Sequence, residues 1–279
     1  MTGMKILTRA GFVIALSMVA ACSTPQLTPD VSIEQMSAEE IYQAGERAME
    51  RKRNERAAGY FGDIERLFPY SDWASRGLVM QAYALHKAGD YDGSRGAGQR
   101  YLTFYPTLGD AAWAQYLVAL SYYDQIYDVG RDQGLTINAL QELRKVIELY
   151  PDSEYAEDAK PRFDLAFDHL AGKEMEVGRY YLGKGEYTAA INRFKTVVED
   201  FQTTRHTPEA LHRLVEAYVS LGLNGEAQTA AAILQAQFAD SEWTADSLVL
   251  LSQQGLTADG SGSGWLARVF RQTIKGDWL

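Results

Sequence analysis

One thiol and four histidines are the side chains in this sequence best suited to nucleophilic or metal chemistry. The stretch "HTPEALH" sets His206, Glu209 and His212 three residues apart. A helical zinc site wants two imidazoles one turn apart on one face, as in H-E-x-x-H. Pro208 instead starts a helix after His206, so the spacing reads as a helix start carrying ordinary surface polars. The sequence contains no Gly-rich phosphate loop and no G-x-S-x-G elbow, and its carboxylate pairs read as the solvated faces of helices. The expectation is a protein with no metal, no cofactor and no catalytic constellation. That leaves Cys22, the single cysteine, in "SMVAACSTPQL".

The residues before Cys22 explain its position. Lys5 and Arg9 give a positive start, "AGFVIALSMVA" is apolar, and the small residues Ala20 and Ala21 lead into the cysteine. The apolar run is too short for a permanent span, which needs about 20 residues, so residues 1–21 read as a signal peptide. The order Val19-Ala20-Ala21-Cys22 resembles the bacterial lipobox. That resemblance implies S-diacylglycerol and N-acyl groups on Cys22, and Ser23 in place of Asp implies onward transport to the outer membrane. The alternative, a secreted protein with an incidental cysteine, would leave a free thiol in an oxidising compartment. Residues 22–37, with Pro25 and Pro29, then read as a flexible tether.

The body behind this anchor is acidic. Loss of Lys5 and Arg9 with the leader takes the net charge from −10 to −12, which argues against nucleic-acid binding. Its most informative feature is self-similarity, with segments matching the tetratricopeptide pattern of two antiparallel helices in about 34 residues. In that frame the first repeat (about 38–71) places Gly45, Ala57, Phe61, Ile64 and Pro69 at its small, packing and closing positions. The second (75–108) places Ala82, Gly89 and Pro106, and the third (112–153) carries an insertion near 124–134 before Ala139, Leu143, Val146 and Pro151. The fourth (171–204) offers Gly178, Gly185, Ala190, Phe194 and Val197, with Gln202 where proline is expected. The fifth (208–241) offers Tyr218, Gly222, Ala227 and Leu234, with Val215 a poor fit at the small position. Lys52 stands where the other inter-helix turns have glycine. A long helix from about residue 155, with Pro161 near its start, is expected to join the third and fourth repeats. The predicted fold is an all-α, right-handed superhelix of five such pairs. Residues 243–264 read as a short helix followed by a Gly/Ser linker. Residues 265–279 read as a basic amphipathic segment that either meets anionic lipid or docks on the last repeat.

Anchor, tether and repeats together resemble the BamD (ComL) family of outer-membrane lipoproteins. The local matches are "RLFPYSDWA" (66–74), "LYPDSEYAEDAKPR" (149–162) and "GRYYLGKGEYTAAINRFKTVVEDF" (178–201). The resemblance implies a non-enzymatic scaffold, lipid-anchored on the periplasmic face of a Gram-negative outer membrane, for folding and inserting β-barrel proteins. Implied partners are the BamA periplasmic domains, other Bam lipoproteins and unfolded barrel substrates, with no nucleic acid. The family's BamA-contacting arginine corresponds to Arg193, and Phe68, Pro69, Tyr70 and Asp72 lie where a substrate or partner surface should be. Glu55, between Arg53 and Arg56, replaces a basic residue of the family pattern. The residues alone also suggest Tyr83, Tyr116, Tyr122 and Tyr123 as groove contacts or packing between helices. A repeat lipoprotein that coordinates cell-wall synthesis or assembles type IV pili is the alternative.

Overall fold

The computed structural model describes residues 32–126, 128 and 133–272. Cys22, the leader, most of the tether, and Ile274, Lys275 and Trp278 of the carboxy-terminal segment lie outside the described residues. Residues 33–35 form a short 3₁₀ turn, which belongs to a separate unit from the body that begins at Ser37. Among the described residues that body is all-helical. Its helices are α1 (Ala38–Glu50), α2 (Asn54–Leu67), α3 (Asp72–Ala88), α4 (Tyr91–Phe104), α5 (Ala111–Tyr123) and α6 (Gly134–Leu149). Then come α7 (Glu154–Gly183), α8 (Tyr187–Asp200), α9 (Thr207–Ser220), α10 (Asn224–Gln237), α11 (Glu242–Gln253) and α12 (Trp265–Phe270).

From α1 to α11 each helix packs on the next, and the odd-numbered helices also touch one another in sequence. Among α2 to α10 the even-numbered helices make no comparable contact with one another, so the first helices of the pairs form the inner side of a helical-repeat solenoid. The start of α1 is fixed by a capping box: the Glu40 carboxylate accepts the Ser37 N–H at 2.8 Å, and Ser37 Oγ accepts the Glu40 N–H at 3.3 Å. The bond from the Ser37 N–H first, and then one donated by the Ser37 hydroxyl to Glu40 Oε2 at 2.9 Å, hold the Glu40 carboxyl below its usual range.

Two turn types recur. Where one helix folds back on its partner, the chain passes through a left-handed residue: Lys52 (φ 56°), Gly89 (82°), Gly185 (76°), Gly222 (71°) and Gly255 (69°). At each corner two backbone bonds close the helix end, as with Arg53 N–H to Ala48 O (2.9 Å) and Lys52 N–H to Met49 O (2.8 Å). Where one pair hands over to the next, α2, α4, α6, α8 and α10 all end on an aromatic with nearly the same backbone: Phe68, Tyr105, Tyr150, Phe201 and Phe238. Ser71, Ser153 and Thr204 hydroxyls donate back to the carbonyls of three of them at 2.7–2.8 Å. The aromatic is therefore the constant feature of the closing turn, and the proline after it is optional.

The core shows how size is exchanged between paired helices. A Cβ on Gly45 would sit 2.5 Å from the Phe61 ring, and one on Gly178 would sit 2.4 Å from the Phe194 ring. In the second pair Ala82 stands on α3, and Gly98 of α4 makes room instead for the next pair, where a Cβ would sit 2.7 Å from Val118 of α5. In the fifth pair Val215 is large and Ala231 small, both fully buried in one cluster. Val215 is compensated by its partner helix, which resolves the misfit seen in the sequence.

Helix α7 is continuous over 30 residues and carries Pro161 in its interior, as its eighth residue. Its two halves pack on α5 and α6 and on α8 and α9, making it the joint between the third and fourth pairs. The expected Gly/Ser linker proves instead to be a strap along α10. Gly262 N–H donates to Thr229 Oγ1 (2.9 Å), Ser263 and Gly264 N–H to Glu226 Oε1 (3.1 and 2.9 Å), and Gln228 Nε2 to Thr257 O (2.8 Å). A Cβ at Gly262 would lie 2.6 Å from Thr229 Oγ1, so the glycines serve close backbone approach rather than flexibility. The strap delivers α12, whose Leu266 is fully buried and whose Trp265 Nε1 donates to Tyr218 Oη at 3.0 Å. Over the described part, the amphipathic segment docks on its own last pair.

Candidate partner-binding surfaces

Arg193 projects from α8 and donates from Nη1 to Glu174 Oε2 of α7 at 3.1 Å, with its side chain 45% exposed. One donor of the guanidinium's five is thus engaged inside the chain, and the remaining fork is open to solvent. A denser set of charges lies on the inner helices. Arg179 of α7 holds Glu209 of α9 through two contacts of 3.0 and 2.9 Å. Arg213 then bonds Glu209 (3.4 Å) and Glu216 (2.8 Å) and lies over the Trp243 ring. Burial disfavours the Glu216 charge, but hydrogen bonds from His212 and Arg213 outweigh it and hold this carboxyl below the usual range. Arg179, Leu182, Tyr187, Arg213, Glu216 and Ser220 line a cleft of about 430 Å³.

The histidine stretch resolves into separate roles. His206, the residue capping α9, lies 3.5 Å from Asp168, and its pKa is lowered chiefly by burial. His212 is buried, with Nδ1 2.9 Å from Ser247 Oγ and its ring beside Trp243. The two imidazoles face different partners.

At the other end of the chain, Phe68, Pro69, Tyr70 and Asp72 come together in one turn between α2 and α3. Phe68 is half-buried, Pro69 and Asp72 are exposed, and Tyr70 is fully exposed. A tyrosine with no protein contact for its ring leaves a large amphipathic surface free for another molecule. The intervening second and third pairs separate this turn from Arg193, so the structure does not bring the sequence-predicted residues into one site. Among the suggested groove tyrosines, Tyr116 is buried and donates to Asp158 Oδ2 at 3.1 Å, and burial drives its phenol pKa upward. Tyr83 packs on Trp113, and Arg95 stacks over Tyr122. These three serve packing more than recognition.

Sequence reasoning missed the Arg179–Glu209–Arg213–Glu216 set. The Glu209, Arg213 and Glu216 spacing of four and three residues was a readable helical signal. The link from Arg179 was not, because it joins residues thirty apart. Glu55, by contrast, lies where the sequence placed it, beside Arg53 and Arg56 at the first corner.

Residues 34–234 match the family described as "YfiO: Outer membrane lipoprotein". The chain is 42% identical over 254 residues to the outer membrane protein assembly factor BamD of Caulobacter vibrioides, covering 91% of this chain and 83% of that protein. It is 40% identical to the protein of the same name from Rickettsia prowazekii, covering 73% of this chain and 81% of that one. For the Neisseria meningitidis serogroup A protein of that name, identity is 30% over 85% of this chain and 92% of the other.

Proposed function

The chain belongs to the YfiO family of outer membrane lipoproteins, and we propose that it acts in outer-membrane protein assembly as a non-enzymatic scaffold with two separate docking surfaces. The carboxy-terminal surface, centred on Arg193, takes a carboxylate of BamA's periplasmic domains. The amino-terminal turn at Phe68, Pro69, Tyr70 and Asp72, together with the inner face beyond it, takes unfolded barrel substrates or a second lipoprotein. Acylated Cys22 holds the body at the periplasmic face of the outer membrane. One observation carries the reading: Arg193 is fixed in direction by Glu174 yet nearly half exposed. A planar fork held in this way is pre-organised for bidentate capture of a partner carboxylate.

Arg193→Ala is expected to reduce recovery of BamA in pull-downs from detergent-solubilised envelopes while leaving the melting temperature within about 1 °C, because an exposed ion pair contributes little to stability. Glu174→Gln keeps Arg193 and should retain BamA. Undiminished recovery with Arg193→Ala would remove the arginine from this role. The anchor has its own test, since metabolic palmitate labelling must be present in the native chain and absent in Cys22→Ser.

A further inference from the structure

The corner between α1 and α2 differs from the other four left-handed corners in a way that packing does not require. Each of the other four places glycine at the left-handed residue, where no Cβ opposes the backbone. The first places Lys52 there at φ 56°, a conformation that an L side chain adopts only at a cost. Two arginines flank it directly, Arg51 and Arg53, and Arg47, Arg56 and Lys87 converge from α1, α2 and α3. All six are exposed. Among the described residues, Arg47, Arg51, Lys52 and Arg53 have no carboxylate partner, Arg56 bonds only Tyr60 Oη, and Lys87 lies over the Tyr83 ring. Glu55 is the acidic side chain among those lining the two clefts here, with Glu46 and Glu50 nearby in sequence on α1, leaving a positive excess on a chain of net charge −10. Elsewhere arginines are mostly matched, as at Arg66–Asp63, Arg100–Glu65, Arg162–Asp158 and Arg205–Asp168.

We propose that this corner, built on the strained Lys52, binds the phosphate headgroups of anionic phospholipids and so orients the body on the bilayer. Its two adjoining clefts, of about 480 and 170 Å³, are lined by Lys52, Arg53, Asn54, Arg56, Arg47 and Arg51, with Glu55, Lys87, Tyr60 and small alanines completing them. They offer charge and hydrogen-bond donors but no deep apolar socket, which suits a headgroup better than an acidic peptide needing side-chain anchors. The whole chain is repelled by an anionic surface. Screening confines that repulsion to about 10 Å, however, so a corner at the tip of the body is governed by its own cations. The nearness of a bilayer rests on the lipoprotein reading: fifteen residues from Cys22 to Ser37 reach at most about 50 Å.

The test uses the chain from residue 22 onward with Cys22→Ser, so that no acyl group contributes. Partitioning is measured by sedimentation on vesicles of phosphatidylcholine alone and with about one third phosphatidylglycerol. Binding is expected only on the anionic vesicles and should fade with added salt. Each neutralised cation should weaken it roughly fivefold, and Arg51→Gln with Arg53→Gln more than tenfold. Lys52→Gly separates charge from fold, since it should weaken binding about fivefold while raising the melting temperature. Equal partitioning on both vesicles, or unchanged binding by these variants, overturns the proposal. Protection of the corner by inorganic phosphate at millimolar concentration would assign it to a free anion. Tighter binding of a polyglutamate peptide would assign it to an acidic protein, and either result also overturns the lipid reading.

Discussion

The first and fourth helix pairs are nearly the same object inside and different objects outside. Gly45 faces Phe61 and Gly178 faces Phe194 at the same sixteen-residue offset and the same close approach. Both second helices then end on phenylalanine, Phe68 and Phe201, with the same backbone turn. At the opposite corner they diverge. The fourth pair turns through Gly185, and its arginines Arg179 and Arg193 are matched to Glu209 and Glu174. The first turns through Lys52 amid unmatched cations. The interior of a repeat must satisfy its neighbours, so it tolerates little change, whereas a corner touches only solvent and partners. A departure there that costs backbone energy signals a function.

The likeness of the interiors makes the largest prediction. Phe61→Ala and Phe194→Ala each remove a fully buried ring and should cost about 3–5 kcal/mol, read as the midpoint shift in urea unfolding. The two losses should agree within about 1 kcal/mol, and a wider gap would mean that the pairs are not equivalent. Gly45→Ala and Gly178→Ala should follow at about 1–3 kcal/mol, because each new methyl meets a ring held on all sides.

Much of this interior was legible in the sequence. The small residue at Gly45 and Gly178 and the aromatic sixteen later are local signals at helical spacing, so helix pairs and their order could be read directly. Proline was the wrong marker for the closing turn. Gln202 looked like a misfit only because the constant residue is the aromatic before it, Phe201, as Phe238 is in the fifth pair. Val215 looked wrong because its partner Ala231 lies sixteen residues on, and a single-position pattern cannot weigh the sum of two volumes. The strap was misread because "GSGSG" has the composition of a linker. Its bonds to Glu226, Gln228 and Thr229 depend on α10 lying alongside. The same limit hid the Arg179–Glu209 tie.

The corners yield a reciprocal pair of intermediate size. Lys52→Gly should stabilise the chain by about 1 kcal/mol and Gly185→Lys should destabilise it by a similar amount, since a side chain in the left-handed region costs about 1–2 kcal/mol. Equal and opposite shifts in thermal unfolding would show that the two corners share one backbone and differ only in what was placed on it. No shift at Lys52 would remove the strain from which its function is inferred.

The smallest expected effect concerns acid. The fifth pair, joined to the fourth by Arg179, holds two groups whose pKa values are lowered by their surroundings, Glu216 and His206. For Glu216, burial works against the charge but hydrogen bonds from His212 and Arg213 win. Its contribution is therefore present above the unfolded value near 4.5 and lost as pH falls through the lower folded value. For His206 burial is the main cause and disfavours the protonated form, so stability is lost as pH falls from about 6.5 through the lower folded value. In the first pair the group lowered in this way is Glu40, fully exposed in a capping box, where a lost hydrogen bond is replaced by water. Hydrogen exchange of the full chain at pH 4 and pH 7 should thus show a greater loss of amide protection in α9 than in α2. Glu216→Gln should shrink that difference by keeping the size of the side chain while removing its titration. Uniform loss across both helices would mean that the charge set around Glu216 has no bearing on how the solenoid comes apart.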